Sequence, residues 1–473
     1  MTVAVLAPPA LAGNWTLSPQ VSVEEAFNDN VRSSAPGTQE GDFISRVSPG
    51  VSLRGTGGRV SLNGDYNPER LIYLDNSDLN EFRQNLLAGG NVELVQGRLF
   101  LDAQASVSQQ IINPRGAVTG STLNANSNRS TVQTYNLTPT LRQHFGSWAD
   151  TEVKARLSRT FGGGNDGSGG QGISNTTITG GTVTVSSGRR LTRAKVDLTL
   201  DTTITSQSGV GNTTKSYSAT SDLEYRFSSQ YALTGTIGLE RIKDNSINNQ
   251  TRGLFWTAGF LIDPSPRTSL KIDYGDRFET KNFGFDLNYD ITPRTRLQAS
   301  FSETVTRSQN QLSNNLATLG VDDAGNLVNL NTGLPFVAGS QTFGVSNNSF
   351  HQKRYSLSLV GSRGRNNFSV DAFNENRETD ATGGDEKSIG GNVSWSRTLS
   401  RFADISLNLG YTNTDFSGID DRTDDLFTAS TAYTYKVSDT LQASFTYSFS
   451  DRTSSSTDDL RENVVTFRVS KIF

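Results

Sequence analysis

The sequence has no cysteine, two histidines and one methionine, and each scarcity excludes a class of protein. Without cysteine there is no disulfide framework, thiol nucleophile or cysteine-based zinc site. His144 and His351 are too few for a histidine-rich metal site, and we expect no cofactor. No run approaches the roughly 18–20 apolar residues of a membrane-spanning helix. With 43 basic and 47 acidic residues the net charge is −4, so nothing indicates a nucleic-acid partner.

Apolar residues are few, but aromatic residues are not. Only 34 % of the 473 residues are hydrophobic, yet there are 25 Phe, 13 Tyr and 4 Trp. The 45 glycines also exceed the usual share of roughly 7 %. The fold must therefore use few apolar side chains over a long chain.

The first twelve residues resemble part of an export signal. Residues 3–12 are apolar and end in Ala10-Leu11-Ala12 before Gly13, a small-x-small cleavage pattern. No Lys or Arg precedes them, so we expect a partial signal peptide over residues 1–12 and a true start upstream. The alternative is a frayed N-terminus with a chance Ala-Leu-Ala. Absence of cysteine fits passage through an oxidising periplasm.

Alternation of apolar and polar residues dominates the rest of the chain. Every second residue of 441–449 is apolar, with Gln, Ser or Thr between, and 429–437, 283–291, 217–227 and 99–107 repeat the pattern. No long stretch has a helical period. This period of two predicts an all-β protein whose strands have one apolar and one polar face.

Connector lengths distinguish a soluble sandwich from a membrane barrel. Short turns are predicted at 54–58, 95–98, 145–149, 186–189, 228–230, 263–267, 292–295, 362–366, 398–401 and 438–440, and longer polar segments at 28–40, 111–129, 162–175 and 306–347. Short turns at one end and long loops at the other are typical of outer-membrane barrels. We therefore predict one transmembrane antiparallel up-and-down β-barrel over residues 13–473, in the outer membrane of a Gram-negative cell.

The short turns also give the number of strands. They join twenty strands, and a first strand near 15–26 and a last near 460–473 bring the prediction to about 22, within a range of 20–24. Residues 178–186 are alternatively part of a loop, and 277–282 is predicted as the tightest external connection. The first strand starts close to residue 13, so we expect no N-terminal plug domain.

Short motifs in the first 75 residues match a known family. They are Leu17-Ser18-Pro19 with Val21, Phe27-Asn28-Asp29-Asn30-Val31, Asp42-Phe43, Val47-Ser48-Pro49-Gly50-Val51 and Tyr66. On these motifs the chain resembles the beta-barrel porin type 2 proteins, especially the outer-membrane β-barrels associated with exosortase (PEP-CTERM) systems. The resemblance implies an outer-membrane barrel, a setting in exopolysaccharide loci and no catalytic residue.

Three prolines lie in versions of one pentapeptide. Pro19, Pro49 and Pro139 stand at its centre, within predicted strands. Proline removes a ladder hydrogen bond, so we expect bulges or bends there, or else prolines that only mark strand ends.

The polar strand faces are predicted to line a wet lumen. The charged candidates are Arg142, Lys154, Arg156, Arg193, Lys195, Asp197, Asp201, Asp222, Glu224, Arg226, Lys271, Asp273, Asp286, Asp290 and Arg354. Charged rings tune which ions pass a pore. Alternatively these charges pair across neighbouring strands and only keep the wall wet. Their mixed signs favour pairing and predict neither anion nor cation selectivity.

The loop 306–347 is the best candidate for an internal constriction. Its apolar segments, 334–337 and 343–345, suggest that it packs against another part of the protein rather than extending into water. We therefore expect it to fold into or over the lumen. The glycine-rich 162–170 and the acidic 322–326 are read as a flexible loop and a turn rather than as calcium or phosphate sites.

We predict no enzymatic activity, because nothing pairs a nucleophile with a base. His144 and His351 are expected at opposite ends of the barrel. A histidine-assisted nucleophile needs its base within hydrogen-bond reach.

The chain ends on an alternating apolar strand. Phe467, Val469 and Phe473 are predicted to share the outward face and to form the signal read by the barrel-assembly machinery. Further partners are outer-membrane lipid and lipopolysaccharide.

Three functions follow from these expectations. The preferred one is a pore that passes hydrophilic solutes or polysaccharide and is tied to exopolysaccharide export or surface assembly. The second is a non-conducting structural or adhesion barrel that acts through its extracellular loops. The third is a barrel that partners a periplasmic export apparatus.

Overall fold

The predicted barrel is visible in a computed structural model as a single closed sheet. The structure describes residues 13–113, 116, 118–124, 128–163, 173–208, 213–244, 252–277, 280–321, 327–330, 344–345, 347, 349–379, 384–418 and 421–473. Within them, 24 strand segments form one antiparallel sheet, which the pairing of the first segment with the last closes. The predicted signal peptide and the acidic segment 322–326 lie outside the described residues, as does most of the glycine-rich segment.

The elements are mostly strands, joined by short turns at one end of the barrel and by longer segments at the other. In chain order they are β1 (Gly13–Asn28), β2 (Asp42–Gly57), β3 (Val60–Tyr66), β4 (Glu69–Tyr73), a 3-10 turn (Ser77–Leu79), β5 (Glu81–Arg83), β6 (Leu86–Val95), β7 (Leu99–Ile111), β8 (Arg129–Phe145), β9 (Ala149–Phe161), β10 (Thr176–Ser187), β11 (Ala194–Gln207), β12 (Thr213–Arg226), β13 (Tyr231–Asp244), β14 (Arg252–Ser265), β15 (Thr268–Arg277), β16 (Thr280–Thr292), β17 (Thr295–Arg307), α1 (Ser308–Ala317), β18 (Leu319–Val321), β19 (Leu327–Asn329), β20 (Ser349–Arg363), β21 (Asn366–Glu378), β22 (Glu386–Ser400), β23 (Ala403–Phe416), β24 (Arg422–Lys436), β25 (Leu441–Ser454) and β26 (Leu460–Ile472).

The barrel has 22 strands, as predicted. Both β3 and β4 pair with β2 and form the third barrel strand, while β5 and β6 together form the fourth. The remaining twenty strands are one segment each, and β18 and β19 form a separate hairpin. All ten predicted short turns join consecutive strands, and residues 178–186 lie within β10 rather than in a loop.

Closure leaves the sheet without an open edge and fixes the width of the interior. Neighbouring strands lie about 4.8 Å apart and barrel strands tilt by about 40°, so a round barrel of this size is roughly 40 Å wide. Side chains from the wall cannot meet across such a gap. Whatever narrows the lumen must come from loops.

The two strand faces differ as the alternation predicted. Leu198 and Leu200 on β11 and Phe445 on β25 are more than 45 % exposed, which suits side chains in contact with lipid. Polar residues alternate with them on the other face. Exposed aromatic residues cluster at both ends of the strands, with Trp148 near the short-turn end and Tyr411 near the long-loop end.

The prolines do not form the expected bulges. Pro19 pairs with Val51 in an uninterrupted register between β1 and β2. The ladder of β2 with β3 and β4 omits residues 48–50, and that of β8 with β9 omits Thr138 and Pro139, both without a shift of register. Pro49 and Pro139 therefore lie where the ladder to one neighbouring strand is interrupted, as expected for residues that cannot donate an N–H, but the strands do not bulge.

One α-helix occurs in the described residues. This helix, α1, follows β17 directly. Across the described part of the chain, no helix is long and apolar enough to cross a membrane.

Candidate functional site

The course of α1 identifies the inner face of the barrel. The helix starts at the fifteenth barrel strand, yet Ser313 Oγ donates to Asn136 Oδ1 on β8 at 2.7 Å and accepts from Arg156 on β9 at 2.6 Å. These strands are the sixth and seventh of 22, almost half the circumference away. The helix therefore crosses the interior, and the polar face that it touches lines the lumen.

The candidate charged residues lie on this inner face with one exception. Strand register places Arg142, Lys154, Arg156, Lys195, Asp197, Asp201, Asp222, Glu224, Arg226, Lys271, Asp273, Asp286, Asp290 and Arg354 on the same face as Asn136. Arg193 is a correction, because it lies in the turn 188–193 before β11 and not in a strand.

Many of the charges pair along the wall. Arg142 Nε donates to Glu152 at 2.8 Å, and Arg296 Nε donates to Asp290 at 2.7 Å, in both cases across neighbouring strands. Lys195 lies 2.9 Å from an oxygen of Asp197 on its own strand. This arrangement favours the alternative in which the charges keep the wall wet without setting a selectivity.

A second set of charges joins the first and last strands and was missed from the sequence. Glu24 on β1, only 3 % exposed, lies 2.6 Å from Arg468 on β26 and 2.5 Å from Arg46 on β2. Arg46 in turn lies 3.4 Å from Glu69 on β4. Only the register of the closed sheet brings residues 24 and 468 together, so no local pattern could have found this set.

Buried polar contacts hold the loop between β17 and β20 at the point where it leaves the wall. Arg307 Nη2 lies 3.0 Å from Asp244 on β13, and the two side chains are 1 % and 2 % exposed. Arg307 also donates to Gln207 on β11 and to the carbonyl oxygen of Asn347. Ser349 Oγ donates to Asp244 as well, so both ends of the loop share one buried carboxylate.

The far part of this loop packs on the opposite wall. Leu316, Leu319 and Leu327 form a buried cluster against Leu87 on β6. The described part of the loop therefore lies inside the barrel, as its apolar segments predicted, although residues 334–337 are outside the description.

The returning part of the loop packs nearby. Val345 is buried with Val132 and Ile173, and its N–H donates to the carbonyl oxygen of Ile111 at 2.8 Å.

A second loop, between β7 and β8, also folds inward, and the sequence analysis did not predict it. Leu123 packs into the apolar cluster of Ala26, Val31, Ile44, Leu71, Tyr73 and Val464. The Tyr73 hydroxyl donates to the Leu123 carbonyl oxygen at 3.1 Å. In the sequence, this docking is marked by Leu123, one leucine in a polar segment. No pattern rule would identify that leucine as a docking residue.

Polar contacts hold the second loop to the strands that close the barrel. Asn28 on β1 and Asn124 on the loop donate to Glu462 Oε1 on β26 at 2.6 and 3.1 Å, and all three side chains are buried. Arg129 Nη2 donates to the carbonyl oxygen of Thr119 at 2.8 Å. The loop therefore bridges the fifth and sixth strands to the first and last.

Two polar cavities lie along the inner face of the described wall. One of about 350 Å³ lies between the tip of the second loop, at Gly120 and Ser121, and the inner faces of β22 to β26. The other, of about 680 Å³, lies near the short-turn end and is lined by residues that include Arg46, Lys436 and Arg468.

The described residues contain no group of three or more His, Cys, Asp or Glu side chains that could hold a metal ion. His144 pairs with Asp150 at the short-turn end of β8. His351 Nε2 lies 2.7 Å from Glu303 at the long-loop end of β20. The two histidines thus lie at opposite ends of the barrel.

Comparison with solved structures gives the same fold. The FrpB iron transporter from Neisseria meningitidis (F5-1 variant) matches with a TM-score of 0.53 and 13 % identity, covering 96 % of this chain and 82 % of that one. The ferric-catecholate import receptor Fiu from E. coli K12, open form, gives 0.53 and 9 %, with coverage of 96 % and 81 %. The siderophore receptor PirA from Acinetobacter baumannii gives 0.52 and 10 %, with 96 % and 80 %. At such identities the likeness shows the fold alone.

Comparison with protein families confirms the resemblance seen in the first 75 residues. Residues 10–189 match the family described as "Putative beta-barrel porin 2". No curated protein matches the sequence significantly. The association with exosortase systems stays a prediction. The chain is therefore a porin-like outer-membrane β-barrel protein that matches the Putative beta-barrel porin 2 family over residues 10–189.

Proposed function

We propose that the protein is an outer-membrane pore that passes hydrophilic solutes or polysaccharide. The observation that carries this proposal is the predominantly polar inner face of a closed 22-strand barrel, opposite an apolar outer face. A barrel this wide encloses far more space than its wall side chains can fill. Water therefore fills the part of the lumen that the inward loops do not occupy.

The inward loops suit a selective pore better than an unrestricted one. The loop of residues 308–348 and the second loop dock on different parts of the wall, and both are held by buried contacts. Lumen side chains such as Asn392 and Asn408 nevertheless remain exposed to solvent. A narrowed, polar path is what passage of single hydrated solutes requires.

The proposed setting is exopolysaccharide export or surface assembly, and it rests on the family resemblance. A periplasmic export apparatus is the partner that such a role would require. Lipopolysaccharide, outer-membrane lipid and the barrel-assembly machinery are the partners that any barrel in this membrane would meet. The iron transporters of similar fold share too little sequence for their cargo to be carried over.

A non-conducting structural or adhesion barrel is the second candidate, and the docking of two loops inside the lumen favours it. Liposome swelling separates the two. Proteoliposomes placed in isotonic sugar solutions should swell, more slowly as the sugar grows from a monosaccharide to a tetrasaccharide. Swelling no faster than that of protein-free liposomes would contradict the pore and support the second candidate.

A further inference from the structure

The inner faces of β22, β23, β24 and β25 carry no charge over their middle. The inward positions within 388–398, 406–414, 426–434 and 442–450 are Ser, Thr, Asn, Gln and Gly, with one Ala and one Leu. Strand register aligns them in rows across the wall.

One such row is complete across all four strands. Ser394 stands beside Asn408, Asn408 beside Ser430 and Ser430 beside Ser448. A side chain that donates or accepts hydrogen bonds thus occurs at each step around this part of the wall.

The wall facing it is charged at a similar depth. Lys154 on β9, Asp201 on β11, Asp222 on β12 and Asp273 on β15 all lie on the inner face. The lumen therefore has a charged side and an uncharged side. We call the uncharged surface of β22–β25 the neutral wall.

The tip of the second loop reaches the neutral wall and leaves a cavity beside it. A Cβ atom on Gly120 would lie 3.0 Å from Ser450 Cβ and 3.0 Å from Thr428 Cγ2, so the tip is in contact with the wall. Asn392 and Asn408 line the cavity of about 350 Å³ and stay exposed. In the described residues, the helix and hairpin of the other loop dock on β6, β8 and β9, and Gln311 of the helix contacts Gln352 on β20 and Arg377 on β21, beside the neutral wall.

We propose that the neutral wall is the path of an uncharged glycan through the pore, an inference that rests on the proposed pore function. Hydroxyl and amide groups both donate and accept hydrogen bonds, as sugar hydroxyls do, so they can exchange partners as a chain moves along the wall. They offer no opposite charge to a uronate or phosphate group, which would lose hydration there without compensation. A cavity of this size lies within the range of ligand sites.

The test measures block of single-channel current by oligosaccharides of equal length. A neutral maltohexaose should interrupt the current, and an anionic hexagalacturonate should do so about tenfold less readily. Asn408→Asp removes one amide donor from the neutral wall and adds a charge, so it should weaken the maltohexaose block about three- to tenfold, the range for one hydrogen bond.

The matched control is Asn288→Asp. Asn288 is also exposed on the inner face at a similar distance from the short-turn end, but it lies on β16 between Asp286 and Asp290. This variant should leave the maltohexaose block within about twofold of the unmodified protein.

The experiment distinguishes a failure of the proposed pore from a failure of the proposed glycan path. A membrane that shows no channels overturns the pore and the glycan path together. Channels that hexagalacturonate blocks as well as maltohexaose does, or that respond equally to Asn408→Asp and Asn288→Asp, overturn the glycan path and leave the pore standing.

Discussion

Two kinds of ion pair occur inside the barrel, and burial separates their roles. The pair Arg142–Glu152 is 54 % and 30 % exposed, and such wetted pairs contribute about 0–1 kcal/mol. The pair Arg307–Asp244 is 1 % and 2 % exposed, and removing one partner of a buried pair costs about 3–5 kcal/mol. The first kind keeps the wall wet, while the second fixes a loop.

Replacing Arg307 with methionine should loosen the loop of residues 308–348. The substitution removes the guanidinium from the buried Asp244 carboxylate, which keeps hydrogen bonds from hydroxyl groups but loses Arg307 as its charged partner, at a cost of about 3–5 kcal/mol that undocking of the loop can relieve. We expect larger, noisier single-channel currents and faster proteolysis between residues 308 and 348. The barrel itself should still migrate as a folded species on unheated gels.

Arg142→Met is the matched control, because its pair is exposed and leaves no buried charge behind. It should change neither current noise nor proteolysis. Equal behaviour of the two variants would show that burial of the Arg307 pair does not hold the loop.

The Phe473 side chain offers a second test that involves a single residue. Phe473 is 68 % exposed, and its N–H donates to the Pro19 carbonyl oxygen at 2.8 Å where the barrel closes. Phe473→Ala should lower the amount of protein in the outer membrane severalfold if this aromatic side chain is read during assembly. Ile472→Ala, one position away on the inner face, should not. Unchanged yield of Phe473→Ala would refute the assembly signal.

Alternation predicts which way a residue faces but not which residue it meets. It placed Arg142, Asp197 and Arg354 on the inner face from sequence alone. It could not pair Glu24 with Arg468, because that contact depends on closure between the first and last strands. Arg193 was misplaced because the turn before β11 is longer than its sequence suggested.

Two of the described loops fold into the lumen and contact the wall on its inner face. One crosses from β17 to β6, β8 and β9, and the other crosses from β7 and β8 to β1 and β26. Together they tie opposite parts of the wall. Their docking uses small apolar clusters and buried polar contacts rather than a domain of their own.

Removing most of the loop of residues 308–348 should widen the pore. Ser308 Oγ lies 3.5 Å from the carbonyl oxygen of Gly344, so a Gly-Ser-Gly linker can replace residues 309–343 without straining the ends. We expect a unit conductance larger by roughly a factor of two, since the loop crosses the lumen and narrows the open cross-section. Deletion of residues 164–171, predicted to be part of an external loop, serves as the control and should change little. Unchanged conductance after the 309–343 deletion would mean that the loop does not constrict the path.

Length and composition made one loop predictable and left the other hidden. Loop 306–347 is long and contains apolar segments, which a solvent-exposed loop does not need. The segment 112–128 is shorter and polar, and its docking depends on Leu123 fitting among residues from four strands. Such a fit is set by three-dimensional neighbours that no local pattern records.

At the scale of the whole molecule, closure explains the unusual composition. Each strand needs apolar residues on its outer face only, so 34 % hydrophobic residues suffice for a barrel that is 76 % strand. A closed sheet also satisfies its ladder hydrogen bonds without water, which lipid requires. The period of two and the ten short turns were therefore enough to predict the architecture and the number of strands. The contents of the lumen were not predictable in the same way.

Single-channel recording in planar bilayers tests the central claim, that this barrel is a water-filled pore, most directly. Purified protein should give steady unit currents that rise linearly with voltage. The reversal potential in a salt gradient should stay close to zero, because many inner-wall charges of both signs pair with each other. Bilayers that contain folded barrel yet carry no current would contradict the account, and would favour a barrel that works through its loops.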